Sequence, residues 1–245
     1  MEKMGRSHNS INFEKNKFRS MNRLITGLLF LYLFTPTSES LYAQATELKH
    51  LSGSEGSETI YLSGSGSDDK VEWEFYCTGG RNSGEWTTIA VPSCWELEGF
   101  GKYNYGHADD EERGKEKGLY KYEFEVPSSW RRKSVNIVFE GSMTDTEVKV
   151  NGKSAGPVHQ GAFYRFKYDI SKLLRYGRSN TLEVTVAKHS SNESVNRAER
   201  YGDYWIFGGI FRPVYLEAMP ESHIERVAID ARADGSIAAD VFLQN

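Results

Sequence analysis

The stretch GDYWIFGGIFRP, residues 202–213, combines side chains that could bind a ligand with side chains that could build a tight turn. Asp203 lies two residues before Trp205, so a hydrogen-bond acceptor and a flat stacking surface stand close together. Two structural alternatives remain. Asp203 could cap the Gly208-Gly209 turn or pair with Arg212, while the neighbouring apolar residues bury the turn.

A second candidate region, CWELEGFGKYNYG at residues 94–106, has the composition of a loop. Its Trp95 and Tyr103 are candidate stacking platforms for a flat ligand. The following segment, residues 107–118, is a run of charges that is typical of a solvated insertion. A Ca²⁺ site is the alternative there, formed by Asp109, Asp110, Glu111 and Glu112.

The composition excludes several classes of function. The chain has 245 residues and a net charge of −4, and its acidic and basic residues are interspersed. No basic surface is indicated that could neutralise phosphates, so nucleic acid is not an expected partner. Aromatic residues make up 13% of the chain, which suits either a heavy core or stacking surfaces for sugar rings.

The beginning of the chain resembles an export signal. A short positive start at residues 21–23 precedes the apolar run Leu24–Phe34, which is too short to span a bilayer, and AQA at residues 43–45 fits a cleavage site. We therefore predict a signal peptide at residues 21–45, export to the periplasm, the cell surface or the medium, and no membrane span in the mature chain. Residues 1–20 are either a basic leader or precede the true start at Met21.

Export would permit a disulfide between Cys77 and Cys94. The alternative is that Cys77 is a buried free thiol, because it continues the alternation of Val71, Trp73 and Phe75. No cysteine spacing resembles a zinc site.

The elements that must position the candidate residues are strands. From Val71 onward, eight short runs alternate apolar and polar residues between turn residues, which predicts an all-β, antiparallel two-sheet jelly-roll sandwich over residues 71–219. Residues 46–70 are expected to be a flexible leader with a short strand at residues 59–62. One short helix is expected at DISKLLRYG, residues 169–177, and Asn151-Gly152 predicts a hairpin turn of type I′.

After Met219-Pro220 a new hairpin is predicted to begin at His223. An isolated hairpin is marginal in water, so residues 220–245 are interpreted as the start of a truncated second β domain.

Four segments together resemble the N-terminal sugar-binding jelly roll of glycoside hydrolase family 2, the family of the large β-galactosidases. They are WTTIAVPSCWELEGFGKYNYG, GLYKYEFEVP followed by VFEGSMTDTEVKVNGKSAG, YDISKLL with NTLEVTV, and GDYWIFGGIFRPVYL. The resemblance implies a galactose-binding-like fold, followed by an immunoglobulin-like sandwich that residues 220–245 would begin. It also implies a catalytic barrel, which this sequence does not include.

By this resemblance, Asp203 and Asn104 would hold the galactosyl group in the active site of the barrel, partly through a bound Na⁺, Mg²⁺ or Ca²⁺. Trp205, Trp95 and Tyr103 are further sugar-binding candidates. SNES, which contains Glu193, resembles the motif of the family's acid/base residue but lies in a loop between strands of the sandwich, so it is interpreted as a solvated carboxylate.

The resemblance thus implies the non-catalytic portion of an exported β-galactosidase-like enzyme, inactive alone and completed by the missing sandwich and barrel. No convincing pair of catalytic carboxylates is present, and a retaining glycosidase needs one about 5 Å apart. The alternatives are a stand-alone carbohydrate-binding module and a structural or adhesive β-sandwich.

Overall fold

The computed structural model describes residues 8–12, 56–108 and 114–244. The predicted signal peptide and the acidic residues 109–112 lie outside the described residues. The chain divides into two units: residues 57–219 form one, and the strands within residues 8–12 and 220–244 belong to the other.

The larger unit contains two main antiparallel sheets, so the predicted all-β class is confirmed. The six-stranded sheet has, from edge to edge, β4 (Trp86–Val91), β3 (Val71–Cys77), β6 (Lys117–Glu125), β11 (Ser179–Ala187), β8 (Asp145–Val150) and β9 (Lys153–Ser154). The four-stranded sheet has β10 (Phe166–Asp169), β7 (Ser134–Phe139), β13 (Val214–Met219) and β2 (Glu58–Tyr61). A separate two-stranded sheet pairs β5 (Asn104–Tyr105) with β12 (Trp205–Ile206).

The two main sheets share one hydrophobic core because their strands alternate. In β11, Leu182, Val184 and Val186 are buried while the residues between them are half-exposed. The four-stranded sheet contributes Ile137 and Leu216 to the same cluster. Alternate residues of a strand point to opposite faces, so this pattern buries one face of each sheet against the other.

The sandwich begins earlier in the chain than expected. β2 lies in the predicted leader, yet it pairs with β13 from Tyr61↔Tyr215 to Glu58↔Ala218 and therefore completes the four-stranded sheet. The larger unit accordingly starts at Ser57 and not at Val71.

The predicted turn between β8 and β9 is present, with positive φ angles of 53° at Asn151 and 75° at Gly152. Such angles at both central residues are what a type I′ turn requires. The cysteines are both free thiols, Cys77 buried and Cys94 partly buried, so the disulfide alternative is wrong.

The helix prediction was wrong in its position. Residues 170–177 form turns and irregular structure. The carboxylate of Asp169, the last residue of β10, accepts from the backbone N–H and hydroxyl of Ser171, and that hydroxyl accepts from the backbone N–H of Val135 of β7. These local bonds compete with helical ones. The structure instead has a 3₁₀ turn at Ser128–Arg132 and a helix, α1, at Glu193–Glu199.

The smaller unit contains a three-stranded antiparallel sheet. The hairpin predicted at His223 is formed by β14 (His223–Ala231) and β15 (Ile237–Gln244), and β1 (His8–Asn12) pairs along the other edge of β15. Its assignment to an immunoglobulin-like sandwich stays a prediction. Among the described residues, no helix is long and apolar enough to cross a membrane.

Candidate functional site

The two candidate segments meet at the small sheet formed by β5 and β12. Tyr105 lies opposite Trp205 and Asn104 lies opposite Ile206, and a further bond joins the backbone N–H of Gly106 to the carbonyl of Tyr204. This pairing brings together two loops that are distant in sequence. Four of the five predicted site residues, Tyr103, Asn104, Asp203 and Trp205, therefore belong to one region.

The outer part of this region is an aromatic surface formed by Tyr103, Tyr105 and Trp205. Trp205 is 55% exposed, and its ring meets Tyr105 and Tyr103 edge-on at centroid distances of 5.5 and 6.1 Å. Edge-to-face contacts of this kind hold the three aromatic rings in place. Both Trp205 and Tyr103 are exposed, and the guanidinium group of Arg81 lies 4.8 Å from the Tyr103 ring centroid. Their roles in sugar stacking stay predictions.

Asp203 lies beside this aromatic surface with its side chain exposed. No other described residue forms an ion pair or a hydrogen bond with its carboxylate. Arg212, the proposed alternative partner, donates instead to the carbonyls of Glu140 and Phe163 at 3.4 and 3.2 Å. The alternative in which Asp203 pairs with Arg212 is therefore wrong, and the carboxylate faces solvent.

Asp203 does not cap the glycine turn either. The backbone N–H of Gly208 donates to the carboxylate of Glu96 at 2.9 Å, and the carbonyl of Gly208 accepts from the backbone N–H of Trp95 at 3.0 Å. The residues around Trp95 thus hold the turn from the other loop.

A buried network of charges lies beneath the two loops and is centred on Lys188. The ammonium group of Lys188 is 2.7 Å from the carboxylate of Glu96 and 3.0 Å from that of Glu116. It also donates to the amide oxygen of Asn104 at 2.9 Å and to the carbonyl of Lys102. We call these five residues the Lys188 network.

The four side chains that meet in the network are almost completely shielded from water. Lys188 is fully buried, and Glu96, Asn104 and Glu116 are at most 6% exposed. Burial raises the pKa of Glu96, and the nearby Lys188 ammonium opposes this increase. Lys188, which follows β11, thus bridges Glu96 in the loop at residues 94–106 and Glu116 in the next segment, and Glu96 in turn bonds to the Gly208 turn.

The position of Asn104 does not fit the predicted role in cation or sugar binding. Its amide oxygen already accepts a hydrogen bond from an ammonium group, so a metal ion at that oxygen would lie close to a positive charge. Its side chain is also buried, whereas that of Asp203 is exposed. Among the described residues, no group of three or more His, Cys, Asp or Glu side chains could hold a metal ion.

The structure also contradicts the predicted stacking role of Trp95. Trp95 is fully buried, and its ring packs near Phe75 at a centroid distance of 6.3 Å. A Cβ atom added at Gly208 would lie 2.1 Å from the ring, so the turn closes directly over the indole. Trp95 is therefore a core residue.

Sequence reasoning missed the three charged residues of the network, Lys188, Glu96 and Glu116. Lys188 did carry a signal, since it follows Leu182, Val184 and Val186 at the same two-residue spacing and so points inward. Glu193, by contrast, is the exposed first residue of α1, in agreement with the interpretation as a solvated carboxylate.

The fold is similar to the corresponding part of known glycosidases. A calcium-binding mutant of Bacteroides uniformis β-glucuronidase 2 superimposes with a TM-score of 0.58 at 20% identity, covering 77% of this chain and 22% of that one. The β-glucuronidase of Ruminococcus gnavus gives a TM-score of 0.57 at 20% identity, covering 78% and 34%. Both similarities define the class of fold.

The sequence defines the family. Residues 80–220 match the sugar binding domain of glycosyl hydrolases family 2, and the chain belongs to that family. It is 34% identical over 154 residues to a β-galactosidase of Clostridium acetobutylicum, covering 58% of this chain and 16% of the relative. A β-galactosidase of Thermoanaerobacter pseudethanolicus is 32% identical over 108 residues, covering 44% and 14%. The chain therefore spans less than a fifth of the length of these relatives and corresponds to the sugar-binding portion of such a glycosidase.

Proposed function

We propose that this chain is the non-catalytic N-terminal portion of an exported β-galactosidase-like enzyme, and that it presents Asp203 and Trp205 to the sugar bound by a catalytic barrel. The exposed carboxylate of Asp203 carries the proposal. It lies beside the exposed ring of Trp205, on a loop held by the β5–β12 pairing. A carboxylate that no described residue engages can accept hydrogen bonds from the hydroxyls of a sugar.

The Lys188 network supports this role indirectly. A residue that must meet a sugar held by another domain needs a fixed position, because small displacements cost binding and rate. Glu96 bonds to the Gly208 turn and Asn104 forms part of the strand opposite Ile206. Both residues contact the same buried ammonium group, so these contacts help to fix the position of the loop that carries Asp203.

The test uses the enzyme translated from the complete coding region that contains this chain, assayed on nitrophenyl β-galactoside. Asp203→Asn should lower kcat/KM by about 10- to 100-fold, which corresponds to the roughly 1.5–3 kcal/mol of a hydrogen bond to a charged group. Glu125→Gln, which removes another exposed carboxylate at the end of β6, is the matched control and should leave kcat/KM unchanged. Equal activity of Asp203→Asn and wild type would refute the proposal.

The same assay on the 245-residue chain alone should give no turnover, because the pair of carboxylates that glycoside hydrolysis needs is expected in the barrel. Calorimetry with galactose distinguishes the alternative function. Binding of galactose by the chain alone, lost in Asp203→Asn, would favour a self-sufficient carbohydrate-binding module.

A further inference from the structure

The face of the six-stranded sheet that points away from the core contains two adjoining grooves. The larger has a volume of about 470 Å³ and the smaller one of about 190 Å³, and both are lined by Glu147 and Thr185. The larger volume falls within the roughly 300–1,000 Å³ typical of small-molecule sites. None of the residues that line either groove belongs to the aromatic surface or the Lys188 network.

The two grooves form along Ala187 and Thr185, which we call the Ala187–Thr185 trough, because β11 has small side chains there and the neighbouring strands have longer ones. Ala187 lies between Asp145 of β8 and Lys117 of β6, and Thr185 lies between Glu147 of β8 and Leu119 of β6. The longer side chains on both sides form the walls. The residues paired across neighbouring strands form a row that runs from Thr185 through Leu119 and Tyr76 to Trp86 at the edge of the sheet.

Asp145 lies in the floor of the larger groove, where neighbouring residues hold its carboxylate. Its side chain is only 7% exposed, and one carboxylate oxygen accepts from the backbone N–H and the hydroxyl of Ser191 at 2.7 and 2.9 Å and from Gln160 at 3.3 Å. The other oxygen is itself enclosed and has no hydrogen-bond partner among the residues that the structure describes. Asp145 therefore belongs to the floor of the groove, and the hydrogen-bonding groups that a ligand would meet are those of the more exposed wall residues, Lys117 and Glu147.

The charges of the grooves favour a neutral ligand. Lys115 and Lys117 balance Asp145 and Glu147 in the larger groove. In the smaller groove the lysines Lys121 and Lys149 balance Glu147 and Glu183. A surface that alternates donors and acceptors without a net charge suits hydroxyl groups, which both donate and accept.

Trp86 adds a stacking surface at the end of the row. It is 45% exposed and lines the smaller groove, where the ammonium group of Lys121 lies 4.4 Å from its ring centroid. Four strand spacings separate β8 from β4, a distance of about 19 Å at roughly 4.8 Å each. This length exceeds one sugar ring and matches a chain of several.

We propose that this sheet face binds a neutral oligosaccharide, with Glu147 and Lys117 hydrogen-bonding its hydroxyls over the Ala187–Thr185 trough and Trp86 stacking against a further ring. The site would let the protein hold a glycan chain independently of the Asp203 loop. It shares no residue with that loop, so its failure would leave the function proposed above untouched.

Isothermal titration calorimetry of the full 245-residue chain with galactose, β-1,4-galactotetraose and cellotetraose tests the proposal. At least one tetrasaccharide should bind more tightly than galactose. Thr185→Arg fills the trough and should weaken that binding by about tenfold or more. Thr181→Arg is the matched control, because Thr181 lies on the same strand and face, opposite Glu123, but lines neither groove.

Lys117→Ala provides a second variant that removes a wall of the groove without touching the core, and it should also weaken binding. The proposal is overturned if neither tetrasaccharide binds, or if Thr181→Arg weakens binding as much as Thr185→Arg does. It is equally overturned if Asp203→Asn abolishes the binding, since the sugar would then occupy the aromatic surface.

Discussion

Replacing Lys188 by methionine should strongly destabilise the larger unit. Methionine has a similar length and fills most of the same space, so the substitution mainly removes the charge. The ammonium group lies 2.7 and 3.0 Å from the carboxylates of Glu96 and Glu116, and all three side chains are almost completely buried. Lys188→Met therefore leaves two buried carboxylates without their shared cation.

Removing one partner of a buried ion pair costs about 3–5 kcal/mol, because the remaining charge stays desolvated. For a domain of this size, each kcal/mol lowers the melting temperature by roughly 2–4 °C. The expected decrease is therefore about 6–20 °C. Protonation of Glu96 limits the cost, since burial already raises its pKa and the loss of Lys188 raises it further.

That protonation makes the defect depend on pH. A carboxyl group whose pKa is higher in the folded than in the unfolded state binds its proton more tightly when folded, so lower pH favours folding. The difference in stability between Lys188→Met and wild type should therefore shrink as the pH falls from 8 toward 5. Adding Glu96→Gln and Glu116→Gln should restore part of the lost stability at pH 8.

Thermal unfolding followed by circular dichroism at pH 5 and pH 8 measures these differences. Lys149→Met is the control, because Lys149 forms an exposed ion pair with Glu147 on β8, and exposed pairs contribute little. The reasoning is refuted if Lys188→Met melts like wild type, if its defect is the same at both pH values, or if Lys149→Met is equally unstable.

Three further outcomes are expected for the chain. Asp203→Asn should leave the midpoint of denaturant unfolding unchanged, because the side chain is exposed; a large decrease would indicate a structural role. Gly208→Ala should lower that midpoint clearly, since its Cβ would clash with the buried ring of Trp95, and an unchanged midpoint would show that the turn can move aside. Cys77 and Cys94 should react with a thiol reagent slowly in the native protein and quickly in denaturant, because burial raises both thiol pKa values, that of Cys94 to about 11; rapid native reaction at pH 8 would contradict this.

Much of the fold could be predicted because apolar and polar residues alternate along each strand, and this alternation can be seen in the sequence alone. The alternation in β3 and β11 identified the inward residues directly, and Asn151-Gly152 identified a turn whose φ angles few other pairs accept. The helix could not be placed this way. Residues 169–177 contain helix-forming residues, but Asp169 and Ser171 bond locally and to β7, which only the assembled sheet reveals.

The candidate site was predictable only in part, because its buried half depends on contacts between distant segments. Trp95 lies in a loop without periodicity, so nothing local shows that Gly208 closes over its ring. The two-residue spacing of inward-facing residues along β11 predicts that Lys188 points inward. The carboxylates of Glu96 and Glu116 come from other segments, which the spacing does not identify. A buried lysine implies that its partner is also buried, but the sequence does not show which residue that partner is.

The burial of Asn104 changes how the family resemblance applies to this chain. The resemblance treats Asn104 and Asp203 as two ligands of one sugar or cation, which would require both oxygens to face the same space. In the structure the Asn104 oxygen accepts from Lys188 inside the network, while the Asp203 carboxylate is exposed. Asn104 therefore acts through the backbone of β5, which pairs with β12 and positions the loop on which Asp203 lies. In the function proposed above, buried charges fix the position of Asn104, and the Asp203 carboxylate is the group that would contact a sugar.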